Sequence, residues 1–362
     1  MTPHPCFRPV GFDALPGWGD DDLSGALQAF QRSAQHALNK PYKTGSLGVE
    51  ASAFAPIFRA ALSASDARAF FEAAFAPCRI DQPDGAAGLV TGYYEPEADA
   101  SPSRTSHFTV PLMARPPDLI DVDDSNRPIG MDPYFAFARA TPAGPVEYYD
   151  RQAIACGALN GRSLEIAWLA SKVDAFFIHV QGAARLKMPD ATVRRLTYAA
   201  KTGHPFSGIG RILAERGEIP LADVTMQSIR AWLAAHPDQA DELLWRNRSY
   251  IFFREAPVDD PDLGPVAAAK VPLTPGRSIA VDRLLHTFGT PFFVDAPALT
   301  AFDGAPFRRL MIAQDTGSAI VGASRGDLFA GSGAAAGEIA GVVRNAATFY
   351  ALAPRALLEA RS

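Results

Sequence analysis

Cysteine is scarce in this chain: Cys6, Cys78 and Cys156 are the three among 362 residues, with no C-x-x-C spacing. An odd, scattered set excludes a disulfide-built scaffold and a cysteine zinc site. At most one disulfide can form, and buried or partly buried thiols are the plainer expectation. No run of about 18 apolar residues occurs, so no segment is expected to cross a membrane as a helix. Positive charge is not in excess: the formal net charge is −5, which argues against a nucleic-acid partner held by counterion release. The amino terminus, Met1-Thr-Pro-His-Pro-Cys6-Phe-Arg-Pro, lacks the basic and then apolar stretch of a secretory signal. Either an export signal precedes it or the protein stays inside the cell. Phosphate-cradling motifs, G-x-x-x-x-G-K-[ST] or a strand-bounded G-x-G-x-x-G, are also missing.

What is abundant is turn chemistry. The 30 prolines and 29 glycines are spread along the chain, which points to many turns and short strands rather than a helical bundle. With 48% hydrophobic and 20% charged residues, the chain is globular and long enough for two cores.

One segment concentrates this texture with acidic chemistry. Residues 309–331 place Asp315 and Asp327 among glycines, with short apolar runs on either side that anchor the turns to a buried sheet. An aspartate in such a loop is commonly a turn residue bonded to its own backbone, so chemistry must be argued from context. Asp315-Thr316-Gly317 spells the signature of a pepsin-like protease, yet no second Asp-Thr-Gly or Asp-Ser-Gly exists to share a proton. Gly322-Ala-Ser324-Arg-Gly326 fits a nucleophile elbow, which requires a later histidine, and the last one is His286. Protease and serine-hydrolase readings both fail.

Periodicity supplies the coarse map. Leu23, Leu27, Phe30, Ala34 and Leu38 predict an amphipathic helix over 20–40 behind a run of aspartates. A second helical stretch is expected over 54–76, then a strand at 88–95, a loop-rich region over 111–145, and partial helix over 148–168. The apolar run 173–180 reads as a strand, 196–200 as another, and 226–233 as a short helix stopped near Pro237. From Ser249 on, runs at 250–253, 278–281 and 291–294 alternate with turns, so the C-terminal third is mainly β.

Seven fragments in order give the sequence a family likeness. They are Thr91-Gly-Tyr-Tyr-Glu-Pro, Phe176-Phe-Ile-His-Val-Gln181-Gly182, Tyr198-Ala-Ala-Lys201-Thr-Gly203-His204-Pro-Phe, Ile209-Gly-Arg, Met226-Gln-Ser-Ile-Arg, Pro272-Leu-Thr-Pro-Gly-Arg-Ser and Met311-Ile-Ala-Gln-Asp-Thr-Gly. This set resembles the membrane-bound lytic murein transglycosylase A family, from about Phe7 to the C-terminus. The resemblance implies a mainly β protein with helices: a double-psi β-barrel catalytic domain from residues 1–110 and 249–362, and an inserted small β-domain, 111–248, forming the other wall of a glycan groove.

It also implies a C-terminal three-aspartate module, with acidic positions on Asp282, Asp315 and Asp327. An x-Asp-Leu motif marks the catalytic acid of related barrels and matches Gly326-Asp327-Leu328, so Asp327 is the expected acid and Asp315 its supporting partner. In the implied reaction the C6 hydroxyl of N-acetylmuramic acid attacks its own anomeric carbon and leaves a 1,6-anhydro ring. An intramolecular nucleophile removes the need for a second carboxylate, since one group can protonate the leaving oxygen and then accept the hydroxyl proton. Asp327 must then hold a proton near neutral pH, through apolar neighbours such as Leu328 and Phe329 or through Asp315. A hydrogen-bonded turn role stays open for Asp315, and Asp282 is expected to brace the barrel.

Substrate contacts are expected from Thr91, Tyr93, Tyr94, Glu95, Gln181, Gly182, Lys201 and His204, types suited to N-acetylated sugars. Core packing for Tyr93 and Tyr94, and a loop carbonyl for His204, are the plain alternatives. The family's Ser-Gly pair after Gly182 is replaced by Ala183-Ala184, which puts the local shape of the groove in question. No metal or cofactor is implied. The partners are peptidoglycan glycan strands, with other cell-wall proteins admissible, and a monomer, exo-acting and periplasmic, is expected, with its membrane anchor open. A glycan-binding barrel without catalysis and a glycoside hydrolase on the same barrel are the competing functions.

Overall fold

The computed structural model describes residues 4, 6–81 and 85–359. By its internal contacts the chain divides into two compact units, Met1–Tyr94 with Asp260–Ser362, and Glu95–Asp259.

The first unit is built on an eight-stranded sheet. Its order is Phe7–Pro9, Phe75–Ile80, Arg344–Pro354, Pro291–Ala296, Phe307–Asp315, Ser278–Val281, Arg325–Ser332 and Gly88–Glu95, and Gly88–Glu95 also pairs with Arg344–Pro354. Ser278–Val281 runs parallel to Phe307–Asp315 and antiparallel to Arg325–Ser332. Most of these strands are nearly continuous apolar runs; Ser278–Val281 is buried at every position, as a strand covered on both faces must be.

The helix Ser24–Asn39 packs against this sheet with Ala26, Leu27, Phe30, Ala34 and Ala37 buried, the spacing of a single apolar face. It begins at Ser24 and not at Asp20 because the aspartates ahead of it have other partners. Asp22 accepts the Ser24 N–H at 3.0 Å, while Asp21 is buried against Arg277 at 2.7 Å and takes the Leu310 N–H at 2.8 Å. The helix expected over 54–76 is two helices, Ala55–Ala61 and Ala67–Ala74. Asp66 caps the second by accepting the Ala69 N–H at 3.0 Å, so the Ser-Ala-Ser-Asp stretch interrupts the helix instead of continuing it. Phe30, at the centre, meets Phe71 and Phe75 edge to face at 5.8 and 5.7 Å.

The second unit carries a six-stranded sheet, ordered Ile251–Ala256, Val193–Lys201, Ala183–Lys187, Glu97–Ser101, Glu165–Leu169 and Val110–Met113, and a two-stranded sheet of Leu119–Asp121 with Phe137–Arg139. The run 173–180 is not a strand, as its apolar texture suggested, but part of the helix Lys172–Gln181. Its ends decide this: Ser171 accepts the Asp174 N–H at 3.1 Å, and Gly182 closes the helix at a left-handed φ of 78°. The run is apolar all round because both faces are covered. Ala175 and Ile178 enter one core cluster and Phe176 and Phe177 another. The helix Met226–Ala235 follows its expected course, opened by a Thr225/Ser228 capping box. Cys6, Cys78 and Cys156 remain thiols, and Cys156 is exposed.

Candidate active site

The two aspartates of the glycine-rich segment sit on different strands with one short strand between them. Ala280 is the cross-strand partner of Asp315 on one side and of Asp327 on the other. Residues directly opposite in a sheet share a face, so both carboxylates emerge on one face, two strand spacings or about 10 Å apart along the backbone. The parallel pairing skips Gln314 to reach this register. That bulged residue is buried and tied by its side-chain amide to Ala29 O at 2.7 Å and Ser278 Oγ at 2.5 Å. The floor between the acids is therefore a methyl group, fixed in place from behind.

Asp327 faces the strand Gly88–Glu95. Thr91 donates its hydroxyl to Asp327 Oδ1 at 2.5 Å, and Arg325 Nη2 donates to Thr91 Oγ1 at 2.7 Å. Burial raises the Asp327 carboxyl above its ordinary value, opposed by the Arg325 charge and the Thr91 hydrogen bond. Asp315 accepts the Ala268 N–H at 3.2 Å, and burial pushes its carboxyl up to about 6. The charge of Asp327 adds only a smaller push in the same direction, so burial, not mutual repulsion, dominates both shifts.

Tyr93, two residues beyond Thr91 and on the same face, packs its ring 5.3 Å from that of Phe329. Burial, the charges of Asp315 and Asp327 and a side-chain interaction with Asp315 hold its phenol well above the usual range. Tyr94 points the other way, buried under the helix Gly333–Val342, where a Cβ on Gly337 would come within 2.9 Å of its ring. Asp282 is buried and accepts the Leu284 and Gly322 N–H groups, each at 3.0 Å, which ties the end of its strand to the loop before Asp327.

The remaining sequence candidates belong to the second unit and differ among themselves. Glu95 is fully buried, ion-paired to Arg185 at 2.8 Å and Arg195 at 2.7 Å. His204 is buried, its Nε2 paired with Tyr148 O at 2.8 Å. Gln181 and Gly182 keep partial exposure at the helix end, and the Lys201 ammonium stands 5.3 Å over the half-exposed Tyr134 ring. Ala183 and Ala184 are both buried, so their methyl groups fill core and not an open surface. Sequence reasoning passed over Arg325 and Ala268. Arg325 was findable, since it precedes Asp327 by two positions on a strand and so shares its face; nothing in the sequence marked the backbone N–H of Ala268.

Comparison with known proteins places the chain in a family. The family model described as the MltA specific insert domain matches residues 89–254, and the 3D domain model matches 277–353. The crystal structure of a membrane-bound lytic murein transglycosylase from Agrobacterium tumefaciens is 52% identical, covers 98% of this chain and 99% of its own, and superposes with a TM-score of 0.93. The chain belongs to the membrane-bound lytic murein transglycosylase A family. A curated member, from Escherichia coli strain K12, is 32% identical over 259 residues, which span 69% of this chain and 61% of that protein. A second solved member of the family, E. coli MltA with bound chitohexaose, is 25% identical, with 96% and 94% of the two chains covered and a TM-score of 0.69. One family model lies largely in Glu95–Asp259, and the other contains Asp282, Asp315 and Asp327.

Proposed function

We propose that this protein is a lytic murein transglycosylase, cleaving the bond between N-acetylmuramic acid and N-acetylglucosamine in peptidoglycan glycan strands without water. The observation that carries the reading is the Asp327 carboxyl: raised by burial, held by one hydroxyl, and with its nearest carboxylate neighbour a full strand away on the far side of Ala280. That supports a single proton carrier, which protonates the departing glycosidic oxygen and then takes the proton of the C6 hydroxyl as the 1,6-anhydro ring closes. Asp315 is the supporting acid. Its pKa of about 6 makes its charge adjustable near neutral pH. The relatives' names and the chitohexaose bound to one of them support a glycan strand as substrate.

We further read the first unit as a double-psi β-barrel, supported by the return pairing of Gly88–Glu95 onto Arg344–Pro354. Gln181, Gly182 and Lys201 are retained as glycan contacts of the inserted unit, while Glu95 and His204 act through their internal partners. The relatives' membrane-bound naming supports a periplasmic, outer-membrane-associated location; no helix among the described residues is long and apolar enough to cross a membrane.

Incubation of the purified protein with murein sacculi, with the product ends analysed by mass, tests the reading. Anhydro ends are expected, and Asp327→Asn is expected to lower their yield by about 10²–10⁴-fold, the usual contribution of a general acid. Reducing ends would make the protein a hydrolase. Binding without any product would make it a glycan-binding protein.

A further inference from the structure

Thr91 stands between a group that can only donate and one that must at some stage accept. Its oxygen takes a hydrogen bond from Arg325 Nη2 at 2.7 Å, and a guanidinium has no lone pair to receive one back. The single hydroxyl hydrogen of Thr91 therefore has one place to go, Asp327 Oδ1 at 2.5 Å; among the described residues Thr91 has no other side-chain partner. A proton on Oδ1 would collide with that hydrogen or turn it away from its one acceptor among the described side chains.

We propose that Arg325 is a positioning residue which, through Thr91, confines the transferable proton of Asp327 to Oδ2 and supports the carboxylate once that proton has left. This deepens the lytic reading above and rests on it. The two hydrogen bonds keep the guanidinium within about 5 Å of the carboxylate, close enough for an opposite charge to favour the ionised form. Burial and Arg325 therefore act in opposite directions on one group, as an acid that must later serve as a base requires.

The charged and titratable groups around Asp327 are few. Arg325 shares its strand; Tyr93, on the flanking strand Gly88–Glu95, and Asp315, beyond Ser278–Val281, lie within electrostatic reach. Arg344, opposite Thr91 on its own strand, repels Arg325. The helix Gly333–Val342 that follows brings only Glu338, on its exposed side.

The experiment compares the pH dependence of anhydro-product release for the wild type, Arg325→Gln, Arg325→Lys, Thr91→Val and Thr91→Ser. Asp327 is active as the protonated acid, so removing a group that favours its carboxylate must raise its pKa and carry the alkaline limb of the rate profile upward. Arg325→Gln and Thr91→Val are each expected to move that limb by about one pH unit, with Arg325→Lys and Thr91→Ser restoring most of the wild-type position. A merely structural role would lower the rate and leave the limb in place. The same order is expected in a carbon-13 titration of the Asp327 carboxyl in the full chain, which needs no turnover. A wild type that yields no anhydro ends defeats the lytic reading while the titration still decides the role of Arg325. Limbs and titrations unmoved in both Arg325→Gln and Thr91→Val overturn the proposal.

Discussion

Replacing Asp315 by asparagine keeps the size and shape of the side chain and removes its titration. In the folded protein its carboxyl is pushed up from 3.8 to about 6 by burial. A raised folded pKa means that the native state holds the proton more tightly than the unfolded chain, so native stability is greatest when both states are protonated, below about pH 4. It falls as the pH climbs through 6. At 1.36 kcal/mol per unit, the shift corresponds to a loss of about 3 kcal/mol between those limits, an upper value because the residue is not wholly shielded from water.

Asparagine mimics the neutral carboxyl: its amide oxygen can still accept the Ala268 N–H that Asp315 Oδ1 takes at 3.2 Å. Asp315→Asn is therefore expected to be more stable than the wild type by up to about 3 kcal/mol at pH 7.5 and by nearly nothing at pH 3.5. Urea denaturation of both proteins at a series of pH values reads this directly. The carboxylates whose pKa is depressed, such as Asp118 and Asp150, make stability fall toward acid, but they are common to both proteins and cancel in the difference. A variant less stable than the wild type at pH 7.5, or a stability difference independent of pH, would refute the claim that a buried charge at Asp315 is held against its own preference. The variant is also expected to be slower on murein, since strain retained at a buried acid is characteristic of a functional site.

Three further perturbations test the second unit. Glu95→Gln removes the buried charge that pairs with Arg185 and Arg195 and is expected to cost about 3–5 kcal/mol in urea denaturation, whereas exchanging the exposed pair of Arg211 and Glu215 is expected to change stability by less than about 1 kcal/mol. Gly182→Ala places a side chain at φ 78°, where no neighbouring atom obstructs it, so the loss should be the conformational cost alone, about 1 kcal/mol in the thermal unfolding free energy. A much larger loss would mean that Gly182 is needed for contact and not only to end its helix.

Much of this architecture is legible in the residues, and the exceptions share a cause. Strands at 278–281 and 291–294 announce themselves because turns bracket short apolar runs. The helix at 226–235 does so because Thr225 and Ser228 form its cap. The run 173–180 misleads because burial on both sides erases periodicity, leaving Ser171 and Gly182, outside the run, as the only discriminating signals. The helix Gly333–Val342 is hidden by its own composition: Gly333, Gly337 and Gly341 offset the helical preference of its alanines and leave no clear apolar stripe, and the tight approach of Gly337 to Tyr94 and of Ala340 to Gly92 fixes its place. The acids themselves could be named from the glycine-rich segment and the family likeness, but their spacing could not. It depends on a parallel pairing with a one-residue bulge at Gln314, a long-range event with no local signature.

That bulge bears on the chemistry as well as on the fold. Without it, the residue opposite Ala280 in the neighbouring strand would be Gln314, and Asp315 would emerge on the other face of the sheet, away from Asp327. The glutamine amide is instead turned inward, bonded to Ala29 O and to the hydroxyls of Ser33 and Ser278, which fixes the slipped register from beneath. Gln314 thus decides which side of the sheet carries the second acid, although it touches neither carboxylate by its side chain. The separation of Asp327, the proposed proton carrier, from Asp315, with Ala280 between them, then follows from a backbone irregularity that a buried amide holds in place.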